Sequence, residues 1–266
     1  MNGSVTRSFA QIAFNGAGAR AINRGVPLEV PIAIEFSGLA YAVMLATPAD
    51  LTDFATGFAL SEGLITTAEE LAALEIASVE GGYVARAELP GGVDAKLKGR
   101  LRLRLTEGSC GLCGLQSIQE VLRPLPKIST APKATVEALQ AGLGELPAHQ
   151  QLSRATGATH AAAFCDNAGK IVAIREDVGR HNALDKLIGH CARSRTDMAD
   201  GFVLLTARCS YELVEKTVRA GCPMLVTISA PTGLAIERAG QSGLTLVTLA
   251  RSDTALVAND PHGLFS

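Results

Sequence analysis

The spacing of hydrophobic positions in the first part of the chain is typical of strands. Apolar residues dominate 27–36 and 39–46, which we predict to be two strands joined by a turn at 37–38. Residues 83–89 and 101–105 alternate apolar and polar positions with a period of two, as half-buried strands do.

A helix is predicted after the second strand, because start signals and an apolar face coincide there. Thr47 fits the N-cap and Pro48 the first helical position. Thr67 followed by Glu70 resembles a capping box and indicates a second helical start. We therefore predict that residues 1–125 form a small α+β domain. The apolar face of the first helix consists of Leu51, Phe54, Ala55 and Phe58.

From residue 126 to 266 apolar runs alternate with helical patterns, which predicts a parallel or mixed sheet covered by helices, an α/β domain. The Pro-rich residues 123–133 are typical of a linker. Ligands of such sheets bind at the carboxyl ends of the strands, where helix N-termini favour anions. The predicted strands are 161–165, 170–174, 202–206, 224–229 and 244–250, the helices are 184–191, 211–219 and 231–240, and the ligand loops are 175–182, 206–212 and 229–233.

Composition narrows the function classes. The chain has 266 residues, of which 47% are hydrophobic and 19% charged, enough to bury one large core or two modest ones. A net charge of −2, no Trp and 4% aromatic residues argue against nucleic-acid and anionic membrane partners. The first residues lack the apolar run of a secretory signal, and no apolar stretch approaches about 18 residues, so we expect neither a signal peptide nor a membrane span. We expect a cytoplasmic protein whose six cysteines are thiols, metal ligands or redox groups.

Two cysteines stand three positions apart in "SCGLCG". Cys110 and Cys113 are flanked by glycines and precede a helix predicted at 115–122, whose N-terminus lowers a thiol pKa and so favours reactive thiolate. The alternatives are half of a structural zinc site and an inert pair. Zinc would need two more ligands, but neither a second Cys-x-x-Cys nor a close His pair follows.

The residues that follow His160 in the sequence show whether it belongs to a zinc site. Zinc deaminases use His-x-Glu with a later Pro-Cys-x-x-Cys, in which the Glu moves protons. Here Ala162 stands at the Glu position, and the loop with Cys209 has no second cysteine. We therefore expect no metal-binding residues, and a hydrogen-bonding core role for His160 is the simpler reading.

Residues 175–186, "REDVGRHNALDK", concentrate polar types around a helix start. One reading is a capped helix with a solvated face, in which Asn182 is the N-cap and Asp185 lies in the first turn. The density of polar groups favours a site for a polar ligand instead. Arg180 and His181 are our candidates for binding a cofactor.

Taken in order, "SCGLCG", "TGATHAAAF", "EDVGRHNALDK", "ARCSYELVEK" and "SAPTGLAIERA" resemble the FdhD family of formate dehydrogenase accessory sulfurtransferases. The resemblance implies a cytidine-deaminase-like α/β/α C-terminal domain beside the smaller α+β domain. It also implies that a cysteine desulfurase passes persulfide sulfur to this protein. The protein would deliver it to the molybdenum cofactor, bis-molybdopterin guanine dinucleotide, before insertion into formate dehydrogenase. By this resemblance Cys110 and Cys113 carry sulfur, with the persulfide on Cys110.

The resemblance also implies cofactor-binding residues after the last predicted strand, in a segment of the type aromatic-x-Arg-x-x-Arg. Only Arg251 matches that pattern, so we expect mainly backbone contacts from the rest of the segment. The segment consists of Leu249, Ala250, Arg251, Ser252, Asp253 and Thr254.

Two rival functions remain. A chaperone would bind the cofactor while another protein performs the sulfur chemistry. A thiol–disulfide oxidoreductase is disfavoured, because the helix predicted after the cysteines ends early at Pro124. The sequence leaves the oligomeric state open, with a homodimer as one candidate.

Overall fold

The computed structural model of the protein describes residues 3–15, 18–71, 73–90 and 123–265. The predicted strand "LRLRL", Cys110, Cys113 and the helix predicted after them lie outside the described residues, and they stay predictions.

An N-terminal hairpin precedes every element that we predicted. Strands β1 (Ser4–Ile12) and β2 (Ala19–Pro27) pair antiparallel. Most of β1 is exposed, so its sequence has no buried face that a hydrophobic pattern would reveal. A Cβ on Gly25 would lie 2.5 Å from the carbonyl oxygen of Ala155, so the hairpin packs directly against the second half of the chain.

The next four strands form one sheet in the order β4-β3-β6-β5. Strands β3 and β4 confirm the two predicted strands, and β6 confirms the alternating segment at 83–89. The turn between β3 and β4 has positive φ at Ser37 (49°) and Gly38 (75°), as the twist of a two-residue hairpin favours. The bounds are β3 (Val30–Phe36), β4 (Leu39–Ala46), β5 (Glu75–Val79) and β6 (Gly82–Ala87).

Helix α1 (Leu51–Glu62) starts three residues later than predicted. Its N-cap is Asp50 in a left-handed conformation, so the prediction of Thr47 as N-cap and Pro48 as first helical residue is wrong. Thr47 is fully buried and its backbone N–H donates to Asp177, 3.0 Å away. Thr47, which resembles an N-cap in the sequence, therefore forms a tertiary hydrogen bond instead of capping α1.

Half of the predicted capping box is present at the start of the 3-10 helix Ala68–Leu71. The carboxylate of Glu70 accepts a hydrogen bond from the backbone N–H of Thr67 at 2.9 Å. This is the return half of a capping box.

A mixed sheet of six strands occupies the second half, in the order β12-β11-β10-β9-β7-β8. The central β9, β10 and β11 are parallel, whereas β7 is antiparallel to β9 and to β8. The five predicted strands are present, and β12 is an addition. The bounds are β7 (His160–Asp166), β8 (Ile171–Asp177), β9 (Gly201–Leu205), β10 (Met224–Thr227), β11 (Thr245–Thr248) and β12 (Leu256–Asn259).

Helices cover both faces of this sheet. Val203 and Leu205 of β9 belong to a core formed with α4, α5 and α6, whereas Phe202 and Leu204 belong to a core formed with α2. The predicted helices are confirmed as α4, α5 and α6. Helix α2 contains two glycines and Pro147, which count against a helix in the sequence. The bounds are α2 (Val136–His149), α3 (Gln151–Thr156), α4 (Arg180–Arg193), α5 (Tyr211–Arg219) and α6 (Gly233–Ser242), and a second 3-10 helix is Met198–Asp200.

Helices α1 and α4 cross at a glycine on each helix. A Cβ on Gly57 would lie 1.8 Å from the carbonyl oxygen of Asp185, and a Cβ on Gly189 would lie 1.9 Å from that of Asp53. Only glycine allows backbones to come this close. The predicted division into residues 1–125 and 126–266 stays a prediction.

Candidate functional site

The carboxyl ends of four strands of the six-stranded sheet share one edge. Strand β8 runs in the same direction as β9, β10 and β11, because β8 and β9 are both antiparallel to β7. The three predicted ligand loops and the segment 249–254 therefore lie along this carboxyl edge. Strands are about 4.8 Å apart, so the ends of β8 and β11 are about 19 Å apart. An elongated ligand is able to contact both.

His181 joins the loop after β8 to the loop after β9. Its Nε2 lies 2.7 Å from Oε2 of Glu212 and 3.3 Å from the hydroxyl of Ser210. Ser210 is the N-cap of α5, and Glu212 lies in the first turn of that helix. The hydrogen bond from His181 lowers the pKa of Glu212, so this carboxyl is ionised at neutral pH.

Sequence reasoning did not select Glu212. An acidic residue in the first turn of a helix is already explained by the helix dipole. No signal in the sequence connects it to a histidine 31 residues earlier.

Basic side chains gather around His160, at the amino end of β7. Burial lowers the pKa of His160, and electrostatic repulsion from its neighbours, first of all Arg180, lowers it further. His160 is therefore neutral at pH 7, while the guanidinium groups stay charged. The result is a cationic cluster on the carboxyl edge.

The Nε of Arg180 is buried without a hydrogen-bond partner in the described part of the chain. A buried donor left unpaired costs about 1–3 kcal/mol. A polar ligand with acceptor oxygens would satisfy it. The cluster thus fits an anionic group, as the prediction for Arg180 and His181 requires.

The segment 249–254 folds back over the loop after β10. The N–H of Leu249 donates to the carbonyl of Ser229 at 3.3 Å, and the N–H of Ala250 donates to that of Thr227 at 3.1 Å. Leu249 has a φ of 50°, which is uncommon for a residue other than glycine. These bonds fix the start of the segment on the carboxyl edge.

Arg251 holds the same segment through its side chain. Its Nη1 donates to the carbonyl oxygens of Ile228 and Ala250, and its backbone N–H donates to Thr254 at 2.7 Å. Arg251 and residues 252–254 are exposed, so their free groups face solvent. The segment lies near the end of β11, while Arg180 and His181 lie after β8.

Asn182 is not the predicted N-cap. Gly179 is the N-cap of α4, and Asn182 is buried inside the helix. Its amide Nδ2 donates to the carbonyl of Leu45 at 2.8 Å and to Oδ1 of Asp177 at 3.0 Å. A buried amide needs such partners, and the first half of the chain supplies one of them.

Asp185 and Lys186 also serve the contact between the two halves. Asp185 accepts hydrogen bonds from Ser61 at 2.7 Å and from Lys216 at 2.8 Å. Lys186 is fully buried and donates to the carbonyl of Thr47 at 2.9 Å. The polar residues of 175–186 therefore divide into a structural group and an outward pair, Arg180 and His181.

The four cysteines within the described residues are free thiols with buried side chains. Burial raises the pKa of each to about 12. A thiol with such a pKa has almost no thiolate at neutral pH and is a poor nucleophile. These four residues are Cys165, Cys191, Cys209 and Cys222.

The described residues contain neither a cluster of metal-binding side chains nor a membrane-spanning helix. In that part of the chain, no three His, Cys, Asp or Glu side chains are grouped so that they could hold a metal ion. None of the helices described is both long and apolar enough to cross a membrane.

Comparison with known proteins gives consistent matches over most of the chain. The model of the FdhD/NarQ family matches residues 27–264. A protein named "Sulfur carrier protein FdhD" from Variovorax paradoxus is 45% identical over 239 residues, covering 90% of this chain and 86% of that protein. A protein of the same name from Xanthomonas euvesicatoria pv. vesicatoria is 42% identical over 262 residues, with coverages of 98% and 92%.

A solved structure has a similar fold. The crystal structure of a protein from Desulfotalea psychrophila, described as a formate dehydrogenase accessory protein, superposes with a TM-score of 0.74 and 25% sequence identity. The match covers 97% of this chain and 98% of that one.

Proposed function

Because the chain belongs to the FdhD/NarQ family, we propose that it is a sulfur carrier that serves formate dehydrogenase. As a cytoplasmic sulfurtransferase, it takes persulfide sulfur from a cysteine desulfurase. It passes this sulfur to its substrate, the molybdenum cofactor bis-molybdopterin guanine dinucleotide. The relatives named "Sulfur carrier protein FdhD" support the sulfur-carrying part of this proposal.

One observation carries the proposal. Four of the six cysteines are buried thiols with a raised pKa, so they are unsuited to carry sulfur. The remaining thiols are Cys110 and Cys113. Persulfide formation needs a thiolate that a partner protein can reach. The proposal therefore assigns the sulfur to this pair.

Sulfur is loaded by an exchange between a thiolate and a persulfide. The Cys110 thiolate attacks the outer sulfur of the desulfurase persulfide, a new S–S bond forms on Cys110, and the desulfurase cysteine leaves as a thiolate. The sulfur keeps its oxidation level, so loading needs no further oxidant or reductant.

Covalent geometry supports delivery to the carboxyl edge. Arg123, at the start of the last described range, lies 3.0 Å from Glu215 of α5, and its carbonyl accepts a hydrogen bond from Arg238 of α6 at 2.6 Å. The ten residue steps from Cys113 to this anchor span at most about 34 Å when fully extended, and less where the helix predicted at 115–122 forms. Glu215 is about 4.5 Å along α5 from Glu212, so the chain that follows Cys113 is anchored close to the cationic cluster.

The carboxyl edge suits a substrate with two nucleotide ends. The cluster around Arg180 offers donors to phosphate oxygens at one end, and the segment with Arg251 offers backbone and guanidinium donors at the other. We include the cytidine-deaminase-like α/β/α fold of residues 126–266 in the proposal. The helices on both faces of the mixed sheet support it.

The second candidate is a chaperone that binds the cofactor without carrying sulfur. The cationic cluster on the carboxyl edge would bind the cofactor equally well in either function. Incubation with a cysteine desulfurase and cysteine, followed by intact-mass spectrometry, separates the two. A sulfur carrier gains the mass of a sulfur atom, and the Cys110→Ala/Cys113→Ala double variant does not. Binding of GDP without any gain of sulfur by the wild-type protein would favour the chaperone.

A further inference from the structure

We infer that Glu212 is a positioning residue: it holds His181 so that the free ring nitrogen, Nδ1, contacts the diphosphate of a guanine nucleotide. The inference rests on the proposed function, because it takes the guanine dinucleotide ends of the cofactor as the ligand of the carboxyl edge.

The geometry of the three side chains excludes one alternative role. A Ser–His–acid relay places the hydroxyl and the carboxylate on opposite nitrogens of the imidazole ring. Here Oε2 of Glu212 and the hydroxyl of Ser210 both approach Nε2, at 2.7 Å and 3.3 Å. The arrangement therefore fixes the ring from one side and does not activate Ser210 as a nucleophile.

The opposite side of the ring is left for a ligand. Among the described residues Nδ1 of His181 has no hydrogen-bond partner. The side chain is 27% exposed, so the ring is partly open to solvent. An imidazole anchored through one nitrogen presents the other in a fixed direction, which lowers the entropy lost on binding.

The two carboxylates near His181 are already paired, whereas two neighbouring arginines favour an anion here. Arg180 on α4 and Arg208 in the loop before α5 act on His160 of β7, together with His181. The carboxylate of Asp177, at the end of β8, is already paired with the ammonium group of Lys186, which lies 2.6 Å from it. Glu212 is the acidic group that faces His181, and it is already paired.

The orphaned Nε of Arg180, in the same turn of α4, independently indicates an acceptor-rich ligand. A diphosphate supplies several acceptor oxygens and negative charge, which matches guanidinium donors and a doubly protonated imidazole whose Nε2–H donates to Glu212 and whose Nδ1–H is left for the phosphate. The chemistry of the cluster thus points to the phosphates of the nucleotide, whereas it has no feature that reads the base.

The test measures GDP binding by calorimetry for the wild type, Glu212→Ala, Glu212→Gln and a control, Glu237→Gln. Glu237 is an exposed residue of α6 outside the cluster. Loss of the anchor in Glu212→Ala should weaken binding about tenfold. Glu212→Gln keeps an oxygen that accepts from Nε2 and should restore most of the affinity, and Glu237→Gln should bind as the wild type does.

Nuclear magnetic resonance with isotope-labelled histidine adds a readout that a purely structural role would not change. GDP should move the Nδ1 resonance of His181 in the wild type, while the anchored Nε2 resonance changes little. An affinity of Glu212→Ala equal to wild type, or a shift confined to Nε2, would overturn the inference and leave the proposed function standing. Failure of the wild type to bind GDP would instead overturn the assignment of the cofactor to this edge.

Discussion

The ammonium group of Lys186 lies 2.6 Å from Oδ2 of Asp177, and both side chains are completely buried. Thr47 bridges the pair, because its N–H donates to Asp177 and its carbonyl accepts from Lys186. The charges of this pair thereby fasten the first half of the chain to α4, the helix that carries Arg180 and His181.

Removing one charge of this pair should be strongly destabilising. Lys186→Met leaves Asp177 buried and without its counter-ion, which costs about 3–5 kcal/mol. Urea denaturation followed by circular dichroism measures the loss. Lys133→Met is the matched control: its partner is Asp200, both side chains are about two-thirds exposed, and such pairs contribute about 0–1 kcal/mol. Equal losses in the two variants would contradict this prediction.

The crossing of α1 and α4 makes a second stability prediction. Gly57→Ala would put a methyl group against the carbonyl of Asp185, so the helices must separate, at a cost of about 1–3 kcal/mol or more. Gly144→Ala on α2 meets no atom within 4 Å and should stabilise by up to about 1 kcal/mol through helix propensity. Thermal unfolding compares the two, and a stable Gly57→Ala variant would show that the crossing tolerates separation.

The hydrophobic pattern predicts those elements whose burial is regular. Ile32, Ile34 and Phe36 of β3 are fully buried at alternate positions, and the apolar runs of β9, β10 and β11 are buried throughout. The exposed hairpin β1–β2 has no such pattern, so it was missed.

The errors at helix starts have a common physical cause. Thr47 and Asn182 are residue types that cap helices, but both form hydrogen bonds between the two halves of the chain instead. The pairing of His181 with Glu212 is tertiary as well. The sequence near a residue does not reveal which distant residues it will contact in the fold. It does reveal where strands end, and for that reason the loops of the carboxyl edge were predicted.

Thiol reactivity should divide the cysteines into two classes. With pKa values raised to about 12 by burial, Cys165, Cys191, Cys209 and Cys222 remain protonated thiols at pH 8. Iodoacetamide at pH 8 should therefore label only Cys110 and Cys113 in the native protein, and all six cysteines in urea. Peptide mass spectrometry identifies the sites, and fast native labelling of Cys209 would contradict the buried state of the loop before α5.

Arg251→Ala should weaken GDP binding, because the guanidinium both offers donors to phosphate and fastens 249–254 to Ile228. Titration with GDP and ADP measures the effect, and we expect a loss of about tenfold for GDP. Lys170→Ala is the control, since Lys170 is exposed in the turn between β7 and β8 at the opposite edge of the sheet. Equally poor binding of GDP and ADP by the wild type would show that the site is not one for guanine nucleotides.

The last prediction assigns different roles to the two cysteines: Cys110 carries the persulfide and Cys113 releases it. Spacing alone does not decide this, because Cys113 lies closer to the predicted helix, where the dipole lowers a thiol pKa more strongly. The FdhD resemblance favours the first cysteine of the motif. Release then follows from attack of the Cys113 thiolate on the inner sulfur of the Cys110 persulfide, which expels sulfide and leaves a Cys110–Cys113 disulfide.

A dithiol reductant must then restore both thiols, so each role has its own readout. Cys110→Ala should abolish both sulfur loading and activation of formate dehydrogenase in cells. Cys113→Ala should still load sulfur, seen by mass spectrometry, but deliver it poorly, because the persulfide has no neighbouring thiolate to attack it. Full activity of Cys110→Ala would overturn the assignment, and rapid delivery by Cys113→Ala would show that the substrate takes sulfur directly from the Cys110 persulfide.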